Sequence, residues 1–459
     1  MQIRRIGAGL AAVALIVSLA ACGKDQQEAA KFERADNENF VRDMSDVTSF
    51  SLDNGIIVYV QEEHTAAQVA VEVLYRAGFL DEPKGKAQLS HVTEHLAIHC
   101  GSGSFGPDES LHQIQEGRGM INAEAVSDFS HVDYIVNSNR LDEVLAIEAQ
   151  RLTSLSCDEA TRKAEVEKCI KEIDSIVASP TGSLAKYGMM ALNQALYRGE
   201  RFVPVRDGAD RITIADVNEF HRAYYRPDDA IIVIIGDIKA ADAEALVRKH
   251  FEGLPRRSQP SQALKAAPGN IQATWDIDGQ ALYLVSPGPY ASQHERLILT
   301  MFGSYLHQLL MTSQDIYGIC RSVYASNQIY RVDDIPFFAF AEPQQGRTID
   351  EIRPLLTQYV LGAVDNLDDA RVDAIKGGMV AFITATSLKK DVPDYPLTHY
   401  QVIGQEALNI GMKHALREGR PVDAFIADVN AVTPAEFRAV VAKYVNSSRL
   451  QEVAFTQKR

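Results

Sequence analysis

The stretch His91-Val92-Thr93-Glu94-His95 sets two imidazoles and a carboxylate within an apolar segment, Leu89 to Ile98, that predicts the start of a buried helix. Residues four apart on a helix project from one face, so His91 and His95 converge, with Glu94 beside them. Neutral nitrogen donors on a rigid element suit a catalytic zinc, and a neighbouring carboxylate can take a proton from water there. The order H-x-x-E-H inverts the better-known H-E-x-x-H. Alone it is a weak signal, because three such letters also fall together by chance, and a catalytic zinc needs a third protein ligand. The helix predicted over Asp158 to Val177 offers candidates: Glu165 and Glu172 lie seven apart, on one face two turns removed. Glu172 follows His95 by 77 residues.

The elements that would carry these residues read as an α+β chain. Strands are predicted on either side of the Asn54-Gly55 turn and from Gln68 to Arg76, where Val69, Val71, Val73 and Tyr75 alternate. Gly119 to Glu124 and His131 to Val136 read as paired strands. Leu141 to Leu155, Asp158 to Val177 with Asp158 as N-cap, Leu184 to Tyr197, Ile214 to Tyr225 and Ala240 to Phe251 read as helices. Ala230 to Ile235 is a wholly apolar strand. The Pro-rich segment 253–270 predicts a linker. Beyond it the same grammar repeats: strands at 273–277 and 281–286, a helix at 293–311, strands at 323–330 and 337–341, helices at 349–367, 369–387, 396–416 and 434–444, and a strand at 450–455. The halves look like diverged copies of one unit, and the second copy has no H-x-x-E-H.

Composition sets the limits. With 459 residues, 46% of them hydrophobic, the chain can bury more than one core. Arg4 and Arg5, the apolar run Ala8 to Ala21 and the ending Leu19-Ala20-Ala21-Cys22 predict a secretory signal over 1–21. That ending resembles the bacterial lipobox, which makes Cys22 the lipidated first residue of a mature chain. Residues 22–45 read as a flexible tether, 46–252 as the zinc-bearing domain, and 271–459 as its homologue without a metal. The expected location is therefore the bacterial cell envelope, facing the periplasm and touching membrane only through the lipid. Removing Arg4 and Arg5 takes the formal charge from −15 to −17, which argues against nucleic acid as a partner. Four cysteines remain, Cys100, Cys157, Cys169 and Cys320, at spacings that match no metal motif and leave pairing open. Cys100 and Cys169 read as small buried hydrophobes, and His99 and His131 as core or surface residues.

The combination of His91, Glu94, His95, Glu165 and Glu172 resembles the pitrilysin/insulinase family of zinc metallopeptidases. So do Leu52-Asp-Asn-Gly-Ile-Ile-Val-Tyr-Val, Arg76-Ala-Gly-Phe-Leu-Asp-Glu-Pro-Lys-Gly-Lys, the run from Tyr225-Arg-Pro-Asp-Asp-Ala to Gly236-Asp, and Val432-Thr-Pro-Ala-Glu-Phe through Tyr444-Val-Asn. The resemblance covers nearly all of the chain after about residue 46. It implies two tandem homologous α/β-sandwich domains forming half of a clamshell, and one Zn²⁺ per chain held by His91, His95 and Glu172. Glu94 would be the general base and Glu165 would orient a ligand histidine. Asn122 and Ala123 match the family's edge strand, on which extended peptide substrates add by backbone pairing. The implied activity is zinc-dependent cleavage of peptides or small unfolded proteins.

One departure matters. The second half of such enzymes usually carries an Arg and a Tyr seven residues apart that bind substrate, and Leu310 to Tyr324 here holds no such pair. The chain is also about half the length of the family's single-chain members. Both points imply the zinc-bearing subunit of a homodimer, or of a heterodimer with a homologous subunit that supplies the Arg and Tyr. The alternative is a non-catalytic scaffolding or peptide-binding subunit.

Overall fold

Short β-branched runs and capped helical segments alternate along the chain, and in the computed structural model they become two sheets backed by helices. The structure describes residues 47–64, 66–127, 129–179, 184–257, 265–288, 292–326, 337–388 and 422–458. The expected signal segment, Cys22, the tether and the helix expected over 396–416 lie outside them. The first half contains β1 (Val47–Ser51), β2 (Ile57–Glu62), β3 (Gln68–Tyr75), α1 (Leu89–His99), α2 (Glu109–Glu116), β4 (Met120–Ala125) and β5 (Ser130–Asn137). It continues with α3 (Leu141–Thr153), α4 (Glu159–Ala178), α5 (Leu184–Tyr197), β6 (Phe202–Val203), α6 (Asp207–Asp210), α7 (Ile214–Tyr224), β7 (Ala230–Gly236) and α8 (Ala240–Phe251). After it come β8 (Ile271–Trp275), β9 (Ala281–Ser286), α9 (Gln293–Thr312), α10 (Gln314–Tyr317), β10 (Cys320–Ser326), β11 (Phe337–Pro343), α11 (Ile349–Asp365), α12 (Asp369–Leu388), α13 (Val422–Ala431), α14 (Pro434–Tyr444) and β12 (Gln451–Gln457).

The first sheet runs β1-β2-β7-β3-β5-β4 and the second β10-β11-β9-β12-β8-β6. Read from opposite ends, they share one plan. In each, the last strand made lies in the interior of its sheet: β7 lies between β2, to which it is parallel, and antiparallel β3, and β12 lies between parallel β8 and antiparallel β9. Antiparallel β5 and β4 follow β3, as β11 and β10 follow β9. The copies differ at one edge, where β1 is antiparallel to β2 but β6 is parallel to β8. By this plan α9 occupies the place of α1. The tandem arrangement is thus present in the pairing itself, although the first half lends β6 to the second sheet.

Local sequence explains the central positions. Every residue of the apolar run in β7 is buried, as a strand covered on both faces requires. Gly236 ends β7 at φ +148°, and a Cβ there would lie 2.2 Å from the Gln68 carbonyl oxygen, so only glycine allows this approach to β3. Asp158 caps α4 by accepting the Thr161 N–H at 2.7 Å. Helices α1, α3, α7 and α8 close the core over one sheet face through Val92, Leu96, Leu145, Phe220 and Val247. The buried Arg151 of α3 donates to the Ala97 carbonyl of α1 at 2.7 Å and is paired with Glu148. Helix α5 instead packs on the second sheet, where Tyr187, Met190 and Leu192 meet Trp275, Tyr283 and Phe455.

Cys100, at the C-cap of α1, is disulfide-bonded to Cys157, one residue before the cap of α4, whereas Cys169 and Cys320 are buried free thiols. Cys100 is therefore a covalent link between helices and not an isolated buried thiol. Closing a loop of this length, the cysteines standing 57 positions apart in sequence, should stabilise the chain by about 4 kcal/mol. Adding reductant, or replacing both cysteines by alanine, should lower stability in urea by that order.

Acid should weaken the fold as well. Burial pushes the His221 imidazole down to about 3, opposed by a hydrogen bond within its site and reinforced by the Arg257 and Arg151 charges. The unfolded chain therefore takes up this proton first. Stability is complete above the ordinary value of 6.5 and falls as pH drops toward 3. Urea titrations at pH 7.5 and 4.5 should differ by roughly 2–3 kcal/mol from this group, and His221→Gln should flatten the dependence.

Candidate metal centre

Helix α1 is an unusual place for polar side chains, since Leu89 through Glu94 and Leu96 through Ile98 are all buried. Its start is held by buried polar groups. Gln88, the N-cap, takes a left-handed conformation at φ 74°, which costs a non-glycine residue and is kept only by strong anchoring. The anchoring is visible: the Gln88 backbone N–H donates to Glu82 at 3.2 Å, and its side-chain amide donates to the Val205 carbonyl at 3.0 Å. Glu82 also accepts from the Ser90 N–H at 2.9 Å and from Gln194 at 3.1 Å, a carboxylate set against the positive end of the helix.

Two histidines of α1 face one carboxylate of α4. His91 Nε2 lies 3.4 Å and His95 Nε2 3.5 Å from the same oxygen, Oε2 of Glu172. The other ring nitrogens are engaged elsewhere: His91 Nδ1 is 3.0 Å from Gln88 Oε1, and His95 Nδ1 is 3.3 Å from Glu165 Oε2. Gln88 Oε1 and the Glu165 carboxylate can only accept, so they hold a proton on each Nδ1 and would leave each Nε2 as the ligand atom for a metal placed between the rings and Glu172. A tetrahedron with bonds of about 2.0–2.1 Å has edges of roughly 3.3–3.4 Å, close to the two measured separations. With His91, His95 and Glu172 each giving one atom, a tetrahedral zinc ion held here would keep one position open. Glu94 lies between the histidines on α1, is 8% exposed, and its charge acts on His95 and Lys186.

Surrounding groups tune these donors. Burial opposes ionisation of Glu172, but its two imidazole neighbours and Lys186 outweigh it and hold the carboxyl far below the usual carboxylate range. Burial lowers the basicity of His91, which favours the neutral ring that a metal needs. Lys186 and Tyr187, at the start of α5, each lie 3.5 Å from the second Glu172 oxygen. Lys186 also reaches Glu124 at 3.4 Å. Glu165 is shared among His95, Lys168 at 2.6 Å and His99 at 3.4 Å. The Cys169 sulfur lies within 4.8 Å of donor atoms of His91 and His95, and burial raises its thiol pKa, which keeps it a neutral neighbour.

Of the residues expected from sequence, His91, Glu94, His95, Glu165 and Glu172 come together here. Asn122 and Ala123 lie on β4, the edge of the first sheet, whose outer residue Met120 is 48% exposed. Leu310 is buried at the end of α9, while Tyr317 is exposed on α10. Sequence reasoning missed Gln88, Lys186 and Tyr187. Only Gln88 carried a signal, as a polar residue one helical repeat before His91; the other two approach through tertiary packing. His99, read as a plain core or surface residue, instead bonds Asp108 at 2.6 Å and shares Glu165.

Comparison with known proteins follows the same lines. A sequence model described as the "Peptidase M16 inactive domain" matches residues 211–379, which begin after every residue of the metal centre and include 310–324. "Zinc protease PqqE" of Helicobacter pylori is 28% identical over 213 residues, covering 45% of this chain and 47% of that protein, so the match spans about half of that relative. An uncharacterized zinc protease of Mycobacterium leprae is 22% identical over 72% of this chain and 76% of its own. Among solved structures, a protease from Helicobacter pylori aligns with TM-score 0.69 at 17% identity over 89% of this chain and 99% of that one. The periplasmic protease PqqL from Escherichia coli aligns with TM-score 0.59 at 14% identity over 91% of this chain but only 48% of its own. These structural likenesses concern the fold.

The two Nδ1 partners can be tested directly. Gln88→Leu and Glu165→Gln should each weaken zinc binding roughly 10–100-fold, because the outward lone pair is then no longer fixed. Competition against a chromophoric chelator measures the change, and circular dichroism should remain that of the parent chain.

Proposed function

We propose that this chain, which belongs to the M16 (pitrilysin/insulinase-type) peptidase family, is a zinc-dependent endopeptidase acting on peptides or small unfolded proteins. The observation that carries this reading is the convergence of His91 Nε2, His95 Nε2 and Glu172 Oε2 at 3.4–3.5 Å, with both remaining imidazole nitrogens held by acceptors. When bound there, zinc supplies acidity to a water molecule and polarises a substrate carbonyl. Glu94 accepts the proton of the attacking water and returns it to the amine that leaves. Glu165 keeps His95 oriented, and Lys186 with Tyr187 keeps Glu172 aimed at the histidines. Asn122 and Ala123 lie on an edge strand whose outward backbone groups can pair with an extended peptide, and their place beside Glu124 and Lys186 brings that peptide to the centre.

The absence of an Arg and Tyr pair from 310–324 supports a catalytic subunit whose chamber is completed by a second copy or by a homologous subunit. The alignment with about half of PqqL agrees with that division. The Cys100–Cys157 disulfide favours an oxidising compartment. With the signal and lipobox reading of residues 1–22, it points to a periplasm-facing lipoprotein.

A second reading keeps the metal and loses the turnover: a peptide-binding or scaffolding subunit. Its support is the same missing pair, together with the "inactive domain" description matched over 211–379. One experiment separates the two. Wild type and Glu94→Gln are purified, alone and with a neighbouring homologue, and each is analysed for zinc and for cleavage of a peptide library. The enzyme reading expects about one zinc at the His91 centre in both proteins, and a rate at least ~100-fold lower in the variant. Zinc without cleavage in any combination would establish the binding subunit instead.

A further inference from the structure

We propose that the first sheet carries a second divalent-cation site, built from Glu72, His131 and Asp133 with Glu124 at its margin. Strand register brings the four together. Glu72 of β3 pairs with Asp133 of β5, and His131 lies two residues before Asp133, therefore on the same face. Glu124 of β4 pairs with His131. His131 Nδ1 is 2.8 Å from Asp133 and 3.8 Å from Glu72, its Nε2 is 3.8 Å from Glu124, and one donor atom from each of Glu72, His131 and Asp133 lies within 4.8 Å of the others.

The independent indication of a ligand is Glu72. Its side chain is 1% exposed, and neither carboxylate oxygen has a hydrogen-bond partner among the described residues. His131 Nε2 and Glu124 Oε2 are also buried and face each other at 3.8 Å without a hydrogen bond. The surroundings are apolar: Leu74, Phe129, Ile231 and Val233 belong to the hydrophobic cluster on this face. Three carboxylates here face one imidazole and one ammonium, Lys186, which is shared with Glu172. Unpaired buried carboxylates are strongly disfavoured, and a cation among them removes the imbalance. Burial and Asp133 together push the Glu72 carboxyl well above its usual range, which reflects the same deficit.

The donor set identifies the class of ion. Carboxylate oxygens alone suit calcium or magnesium, whereas an imidazole among them favours a first-row transition ion such as Zn²⁺ or Mn²⁺. Asp133, 22% exposed in its side chain, opens the cluster to solvent and leaves room for a water ligand. A cation here would hold Glu124, and through Lys186 the second oxygen of Glu172, so it would brace the edge strand β4 from behind.

The full chain, stripped with a chelator and reloaded with Zn²⁺ or Mn²⁺ alone, is measured for bound metal per chain. Two ions are expected in wild type, with one lost in Glu72→Gln and in Asp133→Asn. Glu172→Gln should lose the other ion and keep this one, so the site is separable from the His91 centre and from any statement about activity. A wild-type count of one, unchanged in both sheet variants, overturns the proposal. In that case Glu72 holds a proton, and wild type shows a protonated-carboxyl infrared band that Glu72→Gln lacks. Circular dichroism of each variant confirms that the counts refer to folded protein, and the wild-type count decides even if one variant does not fold.

Discussion

A single carboxylate oxygen facing two imidazole nitrogens, with the three side chains divided between two helices, is the constraint on which the first half depends. The imidazoles lie on a helix buried on nearly every side, where polar atoms without partners are costly. The chain answers with dedicated acceptors. Gln88 receives His91 and Glu165 receives His95, while Glu82 gathers the backbone and side-chain donors at the head of α1. Arg151 grips the Ala97 carbonyl farther along the helix, and the disulfide fixes the end of α1 to the start of α4. Rigidity at the metal centre is thus spread over β-to-α loops, three helices and one covalent bond. The strained backbone of Gln88 persists because its side chain and its N–H are both committed.

Much of this was legible in the sequence wherever spacing is local. The four-residue interval of His91 and His95, the seven-residue interval of Glu165 and Glu172, the Asp158 cap and the apolar run of β7 each follow from helix or strand period. Joining α1 to α4 depended on a family likeness, since no local rule sets a separation of 77 residues. What stayed hidden is non-local. Cysteine pairing could not be deduced from spacing, and Lys186 and Tyr187 arrive through the packing of α5 on the second sheet. The cluster at His131 was invisible for another reason: its members are ordinary one by one, and only the register of three strands sets Glu72, Asp133 and Glu124 against the same ring.

The duplicated plan shows what divergence spared and what it changed. Pairing order is retained strand by strand, but α9, standing where α1 stands, buries Leu297, Ile298, Met301 and Phe302, and its early histidine, His294, reaches Glu436 near the surface. The second half still serves α4 mechanically. Arg321 of β10 bonds Glu342 at 3.1 Å and donates to the Val177 carbonyl at 2.9 Å and to the Ser179 carbonyl, at the negative end of α4. The second half thereby steadies the helix that carries Glu165 and Glu172.

The position of the last strand in each half bears on how the chain acquires its shape. β7 and β12 are interior strands made after every other strand of their sheets, so β2 and β3, like β8 and β9, emerge from synthesis without the partner that separates them. Residues 57–75 must therefore wait for residues 230–236, and 271–286 for 451–457. Such long-range closure makes folding slow and leaves apolar strand edges open meanwhile. A chain with this topology depends on whatever shields those edges until the final strand slides into place.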